Sequence, residues 1–183
     1  MKFFSRDWSS LILFSKIYME TSDVTQLPEK RNEAEQALFL MFEKSMILRA
    51  EKIVNETGIC DYLKKGEKCL DIGTGMGYIA KEIAGKMKSE GRPIKYVVGI
   101  DNKFVFSPNL RNGNNEDGLL KFVNADAKEL PFSDKSFDNV TFFFSFHHMS
   151  RESDIECSLR EALRVLKDNG KIFVAEDIVE TGD

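Results

Sequence analysis

Cysteine is scarce in this sequence, since Cys60, Cys69 and Cys157 are the only three among 183 residues, and none of them stands in C-x-x-C spacing or beside a histidine at metal-ligand spacing. That argues against a disulfide framework and against a zinc site, so no metal is expected. Long apolar runs are missing too. The N-terminal stretch "MKFFSRDWSSLILFSKIYME" holds a short one from Leu11 to Phe14, but Lys16 interrupts it before a signal-peptide core could form and no small-residue cleavage site follows. A cytoplasmic protein is therefore expected. No later stretch approaches the roughly 18 apolar residues of a membrane span, so no membrane partner is expected either. Positive charge is not in excess: 26 Lys+Arg against 30 Asp+Glu give a net charge of −4 and a pI near 5.4. Without a broad basic field, attraction to a phosphate backbone cannot dominate any affinity, and nucleic acid is not an expected partner. What is present, 42% hydrophobic and 31% charged residues, is the balance of an ordinary globular chain with room for one core.

The pattern of apolar positions changes near Gly58. Before it, Leu38, Met41, Phe42, Met46, Ile53 and Val54 recur at near-helical spacing, and Thr57-Gly58 is a helix stop, because glycine takes the left-handed conformation that closes helices. Residues 1–58 thus read as a helical segment that packs on the core or covers a pocket, and 59–183 as a second unit. There, short apolar runs alternate with helical stretches: "KCLDIG", "PIKYVVGID", "LLKFVNAD", "FDNVTFFFSF" and "KIFVAE" read as strands. Ile79, Ala80, Ile83, Ala84 and Met87 mark one intervening helix. Ile155, Leu159, Leu163 and Leu166 mark another, with Ser153 and Glu156 at capping-box spacing before it. Asp168-Asn169-Gly170 reads as the turn into the last strand. Between Asp101 and Leu119, Pro108 and "RNGNNEDG" supply turn formers rather than a helix. Strands separated by helices imply right-handed crossovers and an α/β, Rossmann-like doubly wound parallel sheet of about five strands.

The sharpest signal is "CLDIGTGMGYIA", where Asp71 ends the first strand and Gly73, Gly75 and Gly77 alternate before a helix. Glycine is needed where the backbone turns tightly and a ligand approaches a place a Cβ would obstruct. The dinucleotide fingerprint G-x-G-x-x-G requires a glycine where this chain has Tyr78, which discourages an NAD(P)-dependent oxidoreductase. Asp71, Asp101 and Asp126 all lie at strand ends on the carboxyl edge, where open parallel sheets bind ligands. Three acids and a loop without lysine or arginine suit a cationic ligand that carries no phosphate.

The D-x-G-x-G-x-G stretch resembles the first motif of class I S-adenosylmethionine-dependent methyltransferases, in their small-molecule, UbiE-like type-11 branch. "VVGIDNK", "FVNADAKELPFSDKSFDNV" and "RVLKDNGKIFVAE" resemble later motifs of that family in order and spacing, so the likeness runs from about residue 68 to 176. It implies S-adenosylmethionine as cofactor and transfer of a methyl group to a small-molecule acceptor. It further implies that Asp71, Gly73, Gly75 and Gly77 cradle the cofactor, that Asp101, followed by Asn102, accepts hydrogen bonds from the ribose hydroxyls, and that Asp126 and the Ala127 amide meet the adenine. In "FSFHHMS", His147 and His148 follow the fourth strand and resemble a histidine pair of the same branch. His148 is the candidate catalytic residue, able to position or deprotonate an acceptor. Of Phe142, Phe143, Phe144 and Phe146, only those nearest the strand end are expected to reach a ligand. Trp8, Phe14 and Tyr18 could cover the crevice.

The family's sheet carries two further strands as a C-terminal hairpin, whereas this sequence stops at Asp183. The expected consequence is an unpaired edge on the fifth strand, covered by a second copy in a homodimer, by a partner, or by the N-terminal segment. A catalytically silent cofactor-binding or partner-binding protein is the alternative function.

Overall fold

The computed structural model describes residues 33–103 and 118–176; Trp8, Phe14, Tyr18 and most of the loop between Asp101 and Leu119, with its Pro108, lie outside the described residues. Five strands, β1 (Lys68–Ile72), β2 (Tyr96–Asp101), β3 (Leu120–Asn124), β4 (Phe137–Phe143) and β5 (Leu166–Ala175), form one sheet. All neighbours run parallel, in the order β3-β2-β1-β4-β5. The chain steps outward from β1 through β2 to β3, then returns to the other side of β1 for β4 and β5. That reversal is the topological switch point, and it opens a crevice at the carboxyl ends of β1 and β4.

Burial on both faces explains why the central strands are apolar almost throughout. On one face, Cys69 and Val97 pack with Ala80, Ile83 and Met87 of helix α3 (Tyr78–Ser89) and with Ile53 and Val54 of helix α1 (Glu33–Thr57); the short helix α2 (Ile59–Tyr62) adds Ile59 and Cys60. On the other, Leu70, Val98, Val140 and Phe142 pack with Ala162 and Val165 of helix α4 (Glu152–Val165). Each fully buried Val, Leu, Ile, Phe or Met side chain among them contributes about 1.5–3 kcal/mol. Gly58 follows α1 at φ 61°, the left-handed stop its sequence suggests. Among the described residues no helix is long and apolar enough to cross a membrane.

Four local expectations give way to tertiary packing. In α1 the expected Phe42, Ile53 and Val54 are buried, with Phe39 and Ala50 beside them, but Met41 is 64% exposed, because a residue next to a buried one sits about 100° round the helix and can leave the stripe. In α4 the buried line is Ser158, Ala162 and Val165, and Leu163 is 62% exposed, because small side chains let the helix lie close to the sheet. The capping box is absent: Arg151 is the N-cap, it makes no side-chain cap bond, and Ser153 lies inside the helix, while Glu156 pairs with Arg160 one turn on. Asp168-Asn169-Gly170 is not a turn before β5 but a bulge within it, since Phe137 pairs with Leu166 and Asn139 already with Lys171. Gly170 is required there by crowding, as a Cβ would lie 2.5 Å from Leu166 Cδ1 and 2.7 Å from the Asp138 carbonyl oxygen. Beyond β5 no further strand pairs among the described residues, and Val174 on it is half exposed.

Candidate functional site

The glycine loop turns between β1 and α3 with Gly73, Gly75 and Gly77 at φ 74°, 55° and 87°, the left-handed region that glycine enters without a Cβ penalty. Its position is fixed from β2: the N–H groups of Gly73 and Thr74 both donate to the Ile100 carbonyl, at 3.0 and 2.9 Å. From below it is fixed by Asp71, which is buried. Asp71 Oδ2 accepts from Thr74 Oγ1 at 2.6 Å and Oδ1 accepts from Thr141 Oγ1 at 2.6 Å. Burial pushes the Asp71 carboxyl up from the ordinary carboxylate range, and the Thr141 and Thr74 hydroxyls oppose that push. With both oxygens engaged under the loop, Asp71 shapes the crevice from beneath and is not part of its wall.

Asp101, at the tip of β2, does face the crevice. Its Oδ2 accepts the Gly75 N–H at 3.0 Å and its Oδ1 the Lys103 N–H at 3.0 Å, so one carboxylate joins the two strand ends. A cavity of about 390 Å³ opens beside it, walled by Asp101, Asn102, Ala125, Ala127, the loop from Gly73 to Met76, and the end of β4. Asp126 lies between two of these residues yet turns away. Its Oδ1 accepts the Lys128 N–H at 2.9 Å, and half of its side chain is exposed. The segment behind it is clamped by Arg164, which donates to the carbonyls of Leu130 and Phe132 and to the carboxylates of Asp134 and Glu161. The same guanidinium holds the Glu161 carboxyl below its usual range.

Helix α1 closes the opposite side with Met46, Arg49, Ala50 and Ile53. Core packing and cover are thus properties of one helix, and Ile53 serves in both. Tyr78 ties this wall to α3: its ring is buried with Phe39 and Phe42, and its hydroxyl donates to Glu43 Oε1 at 3.1 Å. A tyrosine therefore fills the space that a third fingerprint glycine would leave open. Phe143 and Phe144, the aromatics nearest the end of β4, line the cavity, whereas Phe142 is buried in the core. Phe144 sits at φ 55°, a conformation rare for a bulky residue and typical of functional sites. The Arg49 guanidinium lies 5.2 Å from its ring centroid, within cation–π range.

After β4 the chain makes a 3₁₀ turn, Phe146–His148, that brings both histidines to the cavity with their rings 4.0 Å apart. Glu176, just past β5, organises this turn. Its Oε1 accepts the N–H groups of Ser145 and Phe146 at 2.7 and 2.6 Å, and its Oε2 lies 3.2 Å from His147 Nδ1. Burial holds His148 below the ordinary imidazole range, and the neighbouring His147 adds to the effect. The same physics disfavours the thiolate form of the buried cysteines: desolvation pushes Cys60 up to about 11, and raises Cys69 well above its usual value. Sequence reasoning missed Glu176 and Arg49. The acid at the end of "KIFVAE" was the available signal for the first, and nothing in sequence brings an α1 arginine to the strand ends.

Residues 70–174 match the protein family described as the methyltransferase domain. The chain is 32% identical over 117 residues to the ubiquinone/menaquinone biosynthesis C-methyltransferase UbiE of Idiomarina loihiensis, covering 64% of this chain and 45% of that protein. It is 37% identical over 110 residues to the UbiE of Rickettsia prowazekii, covering 58% and 43%. The chain thus spans less than half the length of these relatives. Among solved structures, the PH0226 protein of Pyrococcus horikoshii superposes with a TM-score of 0.59 at 27% identity, over 73% of this chain and 56% of that one. The cyclase SpnF does so at 0.57 and 26%, over 69% and 44%. A putative S-adenosyl-L-methionine-dependent methyltransferase of Methanococcus maripaludis, at 18% identity and a TM-score of 0.54, shares the fold over 96% of this chain and 67% of its own.

Proposed function

Since the chain belongs to the methyltransferase domain family, which it matches over residues 70–174, we propose that it transfers a methyl group from S-adenosylmethionine to a small-molecule acceptor bound in the cavity under α1. The observation that carries this reading is the pairing of Asp101 with the Gly75 backbone at the cavity's edge. A Cβ on Gly75 would meet no atom of the described residues within 4 Å, so the loop leaves open the space that a nucleoside would fill. No lysine or arginine lies between Gly73 and Tyr78, which suits a sulfonium cation without phosphates. Asp101 would hold the ribose, assisted by Asn102, and the Ala127 amide would meet the adenine; Asp126, whose Oδ1 now accepts the Lys128 N–H, would have to swing inward to reach the ring. Bound S-adenosylmethionine supplies a methyl group already activated by its sulfonium, so the protein's task is mainly to align an acceptor and exclude water. The apolar wall of Met46, Ile53, Phe143 and Phe144 suits an acceptor with an apolar body. The three free thiols fit a reducing compartment, and we place the protein in the cytoplasm.

Structures like that of SpnF carry another chemistry on this fold, so binding alone does not establish transfer. Two measurements are therefore needed. Calorimetry should register S-adenosylhomocysteine, and a labelled methyl group should pass to an acceptor; no heat and no thermal shift at millimolar nucleoside would sink the reading. His148, whose charged form burial disfavours, would take a proton from the acceptor. Because protonation of this imidazole is disfavoured in the folded protein, its base form persists below the ordinary value near 6.5. The acid limb of kcat should lie below that pH, and His148→Gln should remove the limb and slow transfer by about 10²-fold. An unchanged limb in that variant would assign His148 to packing.

We also propose that a second copy of the chain pairs along the outer edge of β5, where Val174 is 52% exposed and open strand edges recruit neighbours. Sedimentation should find a dimer, and Val174→Lys should shift it to monomer. A wild-type monomer at high micromolar concentration would exclude this pairing.

A further inference from the structure

Among the described residues, one buried side-chain polar atom has no hydrogen-bond partner, the hydroxyl of Ser145. Buried hydroxyls are almost always satisfied, because leaving one unpaired forfeits its hydration for nothing in return. Ser145 is only 3% exposed, and it borders the cavity.

Everything else about this residue is fixed. Its N–H donates to Glu176 Oε1 at 2.7 Å, and its carbonyl accepts the His148 N–H at 3.2 Å. Phe144, held at φ 55°, sets the direction in which the backbone enters it. On its other side the glycine loop presses close: a Cβ on Gly73 would lie 2.5 Å from Ser145 Cβ and 3.4 Å from its Oγ. The side chain therefore fills the seam between loop and strand end. Its hydroxyl, unpartnered among the described residues, belongs to a residue of the cavity wall.

The strand order tells which part of a ligand lies there. Ala125 and Ala127 follow β3, Asp101 ends β2, and Gly73 and Ser145 follow β1 and β4, so these groups succeed one another along the order β3-β2-β1-β4. With adenine at Ala127 and ribose at Asp101, the amino-acid end of the nucleoside runs toward Gly73 and Ser145. We propose that the Ser145 hydroxyl donates a hydrogen bond to the carboxylate of that amino-acid end, and so reads whether the bound nucleoside carries it. This rests on the S-adenosylmethionine reading above.

The test compares two nucleosides on the full chain by calorimetry: S-adenosylhomocysteine, which has the amino-acid end, and methylthioadenosine, which lacks it. Ser145→Ala should weaken S-adenosylhomocysteine by about tenfold and leave methylthioadenosine within about twofold of wild type. Without ligand, Ser145→Ala should melt no lower than wild type, since it deletes a polar group that has no protein partner. Equal loss for both nucleosides, or no loss for either, would overturn the assignment while leaving the S-adenosylmethionine reading intact. A ligand-free Ser145→Ala that melts well below wild type, or does not fold, would also overturn it, by giving the hydroxyl a structural role. Wild-type protein that binds neither nucleoside would remove the reading on which the proposal stands.

Discussion

Replacing Asp101 with alanine is expected to weaken S-adenosylhomocysteine binding by about a hundredfold, whereas Asp126→Ala should cost about tenfold or less. A hydrogen bond to a carboxylate is worth roughly 1.5–3 kcal/mol, and two of them to a pair of ribose hydroxyls would reach or pass the ~2.7 kcal/mol that a factor of a hundred requires. Asp101 has a further effect that Asp126 lacks. Its Oδ2 holds the Gly75 N–H, so the variant also frees the loop against which the nucleoside lies. Asp126 is half exposed and bends back on Lys128, so water can replace much of what it offers. Calorimetry on the two variants and on Asp101→Asn separates the contributions, because an amide oxygen can still accept from Gly75 while its nitrogen cannot accept from ribose. Equal affinity for wild type and Asp101→Ala would reduce this acid to a turn residue.

The sheet was readable from the sequence because its strands are buried on both faces and so appear as unbroken apolar runs, with punctuation at Gly58 and in the glycine loop that backbone sterics enforce. The errors fall where the partner surface decides. Leu163 looks like a core residue by type, yet the face of α4 that meets the sheet is Ser158, Ala162 and Val165, and Leu163 is left outside it. Asp168-Asn169-Gly170 has turn composition, but pairing with β4 continues on both sides of it and turns it into a bulge. The site shows the same division. The strand-end acid Asp101 is displayed as local spacing suggests, and Asp71 is withdrawn, because Thr74 and Thr141 satisfy it from within. Thr141 is 70 residues away, and no local pattern announces such a partner. Glu176 and Ser145 meet for the same reason: β4 and β5 end side by side, and their adjacency is a property of the sheet.

The glycine loop offers the sharpest separation of folding from binding, because two of its glycines are required for different reasons. At Gly73 a Cβ would sit 2.5 Å from Ser145 Cβ, and Ser145 cannot retreat while Glu176 holds its N–H. Adding the strain of φ 74°, Gly73→Ala should lose about 3–5 kcal/mol of stability, a large share of what a domain possesses. Its melting temperature should fall by roughly 10 °C. At Gly75 a Cβ would meet no atom of the described residues within 4 Å, and φ 55° lies in the left-handed well that other residues enter at a cost of about 1–2 kcal/mol. Gly75→Ala should therefore fold with a modest drop in melting temperature. Its methyl group, however, occupies the space beside Asp101 from which a nucleoside would have to be displaced, so affinity for S-adenosylhomocysteine should fall by at least about tenfold. Thermal melts and calorimetry on the pair decide between two accounts of the loop. If Gly75→Ala binds as tightly as wild type, the alternating glycines serve the turn alone. If it folds and does not bind, the glycine at this position is kept for the ligand, and the crevice at the switch point is the cofactor site.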